Sequence, residues 1–175
     1  MAVSGLDAPF DPAEFRRCMR TVAGAVTVIT CGEDGARTGL TATAMCSLTD
    51  TPPTLLVCVN ASASAHPVIG RTRRFAVNVL SETQRGLAER FTSRGGAAGE
   101  ARFEGARWMR RNGGAPMLDG ALASFDCALE AEHRYGSHSI FIGRVMAATA
   151  QDAGMPLLYL GGRFGMFGDM STIPA

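Results

Sequence analysis

The stretch TLLVCVN, Thr54 to Asn60, limits the possible folds more than any other part of the chain. It is a continuous apolar run of strand length, which predicts a central strand buried on both faces. Pro52 and Pro53 lead into it, and small hydroxyl side chains crowd both of its flanks. Before it, Thr41, Thr43, Ser47 and Thr49 recur at even spacing; after it come Ser62 and Ser64. In an extended chain, residues two apart face the same way. Such a row of hydroxyls suits a polar, planar ligand, and it equally suits an ordinary strand face followed by serine turns.

The other elements can be read around that strand. Asp11 caps a first helix that starts at Pro12, with Glu14 completing a capping box and Phe10 and Phe15 placed as a hydrophobic staple. Phe15, Cys18, Met19 and Val22 follow helical spacing. Ala25–Thr30 reads as a strand, Gly32–Gly35 as a hairpin turn and Arg37–Met45 as the return strand. Ser64–Arg71 is a short helical turn or loop, and Phe75–Leu80 a further strand. Ser81 caps a second helix with Gln84 as box partner, and Leu87, Ala88 and Phe91 form its inner face. Gly95–Gly105 is small, polar and glycine-rich, the composition of a mobile loop. In Ala121–Ala131, Ala123, Phe125, Cys127 and Leu129 share one face. Ser139–Thr149 and Pro156–Phe167 supply the last strands. Short turns, not helices, join the early strands, which favours a mainly β, antiparallel barrel with two or three peripheral helices over a doubly wound α/β sheet. No repeat or second domain is visible, so residues 1–175 are expected to form one domain with its core at about 12–167.

Composition removes several kinds of chemistry. All 17 basic residues are arginine, which excludes Schiff-base lysine and P-loop chemistry. A net charge of +1 gives no general field for nucleic acid or membrane, and no apolar run approaches the roughly 20 residues of a span. The first residues, MAVSGLDAPF, lack the basic and apolar regions of a signal peptide. Cys46, Cys58 and Cys127 lie in apolar or small-residue runs, and no C-x-x-C pair occurs; reduced, buried thiols and a cytoplasmic location are expected. His66, His133 and His138 lack metal-ligand spacing, so no metal site is expected. Neither a Rossmann G-x-G-x-x-G nor a G-x-S-x-G elbow is present. Side chains with catalytic chemistry are few, as in enzymes whose cofactor carries the reaction, and a flavin suits that description.

The segment GLTATAMCSLTDTPPTLLVCVNASASAHPVI, Gly39 to Ile69, resembles the short-chain flavin reductases, the group that includes the reductase component of 4-hydroxyphenylacetate 3-monooxygenase and the flavin reductase of pyrimidine utilisation. FRRCMRTVAGAVTVIT, FAVNVLSETQRGLAERF, RFEGARW, ASFDCALEAEHRYGSHSIFIGRV and PLLYLGGRFGMF extend the resemblance over about residues 12–167. It implies a split β-barrel, usually a homodimer, that reduces FMN or FAD with NADH or NADPH and supplies a separate monooxygenase. On this resemblance, Thr41, Ala42, Thr43 and Ala44 lie along the flavin ring, and Ser47 and Thr49 reach the ribityl chain or phosphate. Asn60, Ser62 and Ser64 close around the phosphate, Phe91 flanks the flavin, and His138 orients the dinucleotide as the one catalytic candidate. The buried strand becomes a spacer whose two hydroxyl-rich ends grip one flavin. Ala61 stands where the family often has arginine, a departure that implies either weaker flavin retention or a phosphate contact shifted to Arg90 or another arginine. A split-barrel reductase with another acceptor such as a corrinoid, a flavin-binding module without turnover, and a structural subunit of an oxygenase are the competing readings.

Overall fold

The computed structural model describes residues 10–167. The reading of the first residues as lacking a signal segment, and both ends of the expected domain, therefore extend outside the described residues. Among the described residues the fold is mainly β, with three short α-helices. Helix α1 spans Pro12–Met19, α2 Ala65–Thr72 and α3 Arg85–Arg90.

Strands β2 (Thr27–Cys31), β3 (Thr38–Ala42), β4 (Met45–Asp50), β5 (Pro53–Asn60), β6 (Arg74–Val79), β9 (Ala123–Tyr135) and β10 (His138–Ala150) form one antiparallel sheet in the order β3-β2-β6-β9-β10-β5-β4. Its two edges, β3 and β4, are consecutive pieces of one segment. The chain leaves β2 after Ala42, bends at Thr43–Ala44, and continues as the partner of β5. At the bend the Cys58 amide donates to Ala44 O at 3.0 Å. The return strand predicted as unbroken over Arg37–Met45 is thus shared between opposite edges. A smaller sheet joins β1 (Gly24–Ala25) to the hairpin β11 (Leu158–Leu160) and β12 (Arg163–Gly165), and β7 (Trp108–Met109) pairs with β8 (Met117–Leu118).

The apolar run of β5 is fully buried on one face rather than both, because β5 lies second from the β4 edge of the sheet: Leu55, Val57 and Val59 are buried with Ile29, Phe75, Cys127 and Phe141, whereas Leu56 and Cys58 are half-buried. Helix α2 adds Ala65 and Ile69 to this core. A second cluster gathers Val26, Leu80, Ala88, Phe91, Phe103 and Leu157 beneath α3. The alternation in β9 holds on both faces for different reasons. Cys127 and Leu129 enter the apolar core, whereas Ser124 and Asp126 are buried under the segment 114–118.

Four local expectations change. Asp11 does cap α1, accepting from the Ala13 amide, but Glu14 turns to Arg17 instead of closing a box. No residue of α1 is buried, and Phe10 and Phe15 are 67% and 55% exposed, so the staple does not form. The Ser81–Gln84 box does form, on a 3-10 turn, Glu82–Gln84, that leads into α3. The glycine-rich stretch is not a free loop. Its 3-10 turn Gly99–Phe103 buries Phe103 and is tied to β3 by Glu100 and Arg102. Cys46 is exposed on the β4 edge rather than buried; Cys31, not singled out in sequence, is buried.

Candidate functional site

A cavity of about 690 Å³ lies along the edge of β3 that faces away from β2. Its size falls within the roughly 300–1,000 Å³ common for small-molecule sites. An edge strand leaves backbone groups to be satisfied by something other than a neighbouring strand. Along β3 those partners are supplied one after another. The Arg37 amide donates to Glu100 Oε1 at 2.8 Å, Arg102 Nη1 donates to Gly39 O, and the Thr41 amide donates to Phe91 O at 3.2 Å. Thr41 Oγ1 donates to Ala88 O at 2.6 Å. The strand is thereby held from outside by the end of α3 and by the 99–103 turn, and the cavity opens between these supports and the 60–64 loop.

The contacts along β3 also order the cavity from one end to the other. At its first residues, Thr38 Oγ1 and Ser64 Oγ lie 2.7 Å apart, which brings the start of α2 to this end. One residue further, Gly39 carries the Arg102 guanidinium. Gly39 has to be glycine: a Cβ there would meet Ile29 O at 2.4 Å and the Phe91 ring at 2.9 Å. Past Thr41 and Ala42, Thr43 packs against Gly24, whose β-partner is Tyr159. Tyr159 and Phe164, edge-to-face at 5.5 Å, wall this second end. Five residues of extended chain separate the ends, about 17 Å. The cavity is therefore polar and cationic at one end and aromatic at the other, with no acidic side chain lining it among the described residues.

Phe91 is only 1% exposed and belongs to the second apolar cluster, stacked edge-on against Phe103 at 5.2 Å and tilted on Trp108 at 5.8 Å. It forms the cavity floor from within the core. Arg37 rests over the Phe103 ring at 4.5 Å while its guanidinium pairs with Glu100 at 2.8 Å. That hydrogen-bonded pairing holds the Glu100 carboxyl below its ordinary range. The floor, the 99–103 turn and β3 are thus one braced unit.

Of the residues singled out in sequence, Thr41, Ala42, Thr43, Asn60, Ser62, Ser64 and Phe91 line the cavity. Ala44, Ser47, Thr49 and His138 do not. The bend at Thr43–Ala44 carries Ser47 and Thr49 to the opposite edge of the sheet, where they lie across from Leu55 and Thr54 and are exposed. Only the Asn60 end of β5 reaches the cavity, where Ser62 and Ser64 share one volume with Thr41 and Thr43, while Ser47 and Thr49 at the other end of the strand do not line it. His138 is exposed at the start of β10, directly opposite Asn60, with Nδ1 2.9 Å from Ser137 Oγ. It sits beside the polar end rather than in it. Asn60 Oδ1 accepts from both the amide and the hydroxyl of Ser62, which shapes the 60–64 loop.

Sequence reasoning passed over Arg102, Tyr159 and Phe164 as site residues. Arg102 was hidden in a stretch whose glycines read as loop. Tyr159 reaches the site only through the pairing of residue 24 with residue 159, which no local pattern reveals. Arg90, considered as a replacement phosphate contact, donates to Glu104 O and lines a different cavity. Burial pushes the Cys31 and Cys127 thiols up to about 12, so neither is a nucleophile at neutral pH. Among the described residues no group of three or more His, Cys, Asp and Glu side chains could hold a metal ion, and no helix is long and apolar enough to cross a membrane.

Residues 19–168 match the flavin reductase like domain, and the chain belongs to that family. It is similar to the FMN reductase (NADH) RutF of Stutzerimonas stutzeri (strain A1501), 42% identical over 159 residues that cover 90% of each chain. Among solved structures it resembles the NADH:FAD oxidoreductase SgcE6 of Streptomyces globisporus C-1027, with a TM-score of 0.84, 32% identity, and coverage of 96% of this chain and 100% of that one. It also resembles BorF, the flavin reductase component of a bacterial two-component tryptophan halogenase, with a TM-score of 0.82, 34% identity, and coverage of 91% and 100%.

Proposed function

We propose that this chain is an NAD(P)H:flavin oxidoreductase that reduces FMN or FAD and supplies the reduced flavin to a partner monooxygenase. The observation that carries the reading is the polarity of the cavity: hydroxyls and a guanidinium at one end of β3, aromatic side chains about 17 Å away at the other. A flavin has the same layout, a flat apolar ring joined to an anionic phosphate, so the residues present fit it. The family membership supports the reading, and so do the names of the relatives, which are reductases of FMN and of FAD.

In this reading Thr41, Ala42 and Thr43 hold one long edge of the flavin, with Phe91 beneath and Tyr159 and Phe164 enclosing the ring. Asn60, Ser62 and Ser64 face the phosphate. His138, beside Asn60 at the rim, orients the nicotinamide dinucleotide. When bound, the flavin supplies the two-electron acceptor for hydride from the dihydronicotinamide. The chain contributes proximity, orientation and exclusion of water, which by themselves account for large accelerations. No side chain has to transfer a proton for this step.

We further propose that the chain is one domain with its core at about 12–167, that its sheet is curled into a split barrel, and that it acts in the cytoplasm as a homodimer. Support for the barrel comes from β3 and β4, which occupy opposite edges yet are joined only by the bend at Thr43–Ala44. Support for the dimer comes from α1, which leaves Phe15, Met19 and the following Val22 about half exposed, an unusual use of apolar side chains.

The decisive experiment is loss of the nicotinamide absorbance with purified protein and added FMN, FAD, riboflavin or no flavin. Flavin-dependent oxidation of NADH or NADPH is expected. Flavin binding without oxidation of either dinucleotide would refute the reductase reading and favour a carrier module. Reduction of a corrinoid faster than transfer to free flavin would move the function to that acceptor.

A further inference from the structure

The cavity contains one strong cation with an unassigned purpose. We propose that Arg102 makes this site selective for phosphorylated flavins, FMN or FAD over riboflavin, by pairing with the phosphate nearest the ribityl chain. The proposal rests on the flavin reading above and adds a specificity determinant to it.

Arg102 is the one arginine lining the cavity among the described residues. Its position is built rather than incidental. Nε donates to Ala97 O at 2.9 Å and Nη1 to Gly39 O, which fixes the plane of the guanidinium against β3. Nη2 has no hydrogen-bond partner among the described residues. Glu100, two residues before it, is committed to the Arg37 side chain and amide, and Arg102 forms no ion pair with a carboxylate among the described residues. The register of β3 places the guanidinium at Gly39, next to Thr38 and its 2.7 Å contact with Ser64. The phosphate end identified from the hydroxyls is thus the cationic end as well.

The hydroxyls alone are poorly supplied with protons for an anion. Both the amide and the hydroxyl of Ser62 donate to Asn60 Oδ1, and Thr38 and Ser64 share one hydrogen bond between them. A charge-assisted bond from a held guanidinium is the strongest donor left at this end. Hydrogen bonds to charged groups correspond to roughly a 10- to 100-fold change in affinity.

The test compares dissociation constants of FMN and riboflavin, read by flavin fluorescence, for the wild-type protein, Arg102→Gln and Arg102→Lys. Wild type is expected to prefer FMN, with the preference reduced by inorganic phosphate and by salt. R102Q is expected to weaken FMN about 10- to 100-fold while riboflavin changes less than about twofold, and R102K to recover part of the FMN affinity. Equal weakening of both flavins would make Arg102 a structural clamp and overturn the proposal. So would an unchanged FMN preference in R102Q. Should R102Q not fold, the wild-type measurements still decide: equal affinity for FMN and riboflavin, unaffected by phosphate, overturns the proposal while leaving the flavin reading intact. Wild-type protein that binds neither flavin overturns both.

Discussion

Replacing Asn78 by leucine should cost this protein a large part of its stability, although the two side chains are similar in size. Asn78 is fully buried in β6, and each of its polar positions is used. Nδ2 donates to Val28 O at 2.9 Å and Thr30 Oγ1 at 3.2 Å; Oδ1 accepts from the Leu118 amide at 2.7 Å and Ser124 Oγ at 2.9 Å. In the leucine variant the Leu118 amide is left without a partner in the interior, at about 1–3 kcal/mol. The other groups have alternatives: Thr30 Oγ1 donates to Pro116 O and Ser124 Oγ to Leu118 O. Each lost bond then adds only about 0.5 kcal/mol. The total is roughly 3–4 kcal/mol, and at about 2–4 °C per kcal/mol for a chain of this size the Tm should fall by roughly 6–16 °C. Ser124→Ala, which removes one of these bonds, should cost about 1 kcal/mol. Denaturant melts of both variants, read with an unchanged m-value, check the numbers. A loss below about 1 kcal/mol for Asn78→Leu would show that the network does not pin the 114–118 segment to the sheet. The effect should reach the site as well, because Leu118 shares an apolar cluster with Phe91 and Phe103.

Gly114→Ala should disrupt the same region from the other side, since its Cβ would lie 2.1 Å from Asp126 Oδ2, and that carboxylate is fixed by the Ala115 amide and Arg74; a loss of about 3 kcal/mol or failure to fold is expected by thermal melt. His138→Ala should raise the KM for NADH with little change in kcat, and an unchanged KM would remove the orienting role. The raised thiol pKa values of Cys31 and Cys127 carry a pH signature. Between about pH 9 and 12 the unfolded thiols ionise while the folded ones stay protonated, so stability should fall with rising pH by about 1.4 kcal/mol per unit for each thiol. The Cys31→Ala, Cys127→Ala double variant should flatten that slope in urea melts. In the folded protein a thiol reagent should label exposed Cys46 quickly and leave Cys31 and Cys127 unmodified.

What could be read from sequence was whatever a short window decides. The β-branched and apolar run of β5, the cap at Asp11, the Ser81–Gln84 box and the glycine-bearing turns each express a local preference, and each appears in the fold. The composition excluded lysine chemistry, and the hydroxyl-rich segment marked Thr41, Ala42, Thr43, Asn60, Ser62 and Ser64, which do meet at one cavity. Local pattern failed where a long-range partner determines the environment. The glycines of 95–105 read as freedom, yet Glu100, Arg102 and Phe103 find partners on β3 and in the core that tie the segment down. The apolar spacing of α1 predicted a buried face, but among the described residues nothing covers it.

The amino-acid sequence by itself determined the class of fold, the family and the hydroxyl-lined strand, because periodicity and side-chain type are properties of neighbours along the chain. Only the tertiary structure decided that Ser47 and Thr49 leave the cavity while Arg102, Tyr159 and Phe164 enter it. The physical reason is the bend at Thr43–Ala44 together with the pairing of β1 with β11. The first sends two halves of one segment to opposite edges of a sheet, and the second brings together residues more than a hundred positions apart.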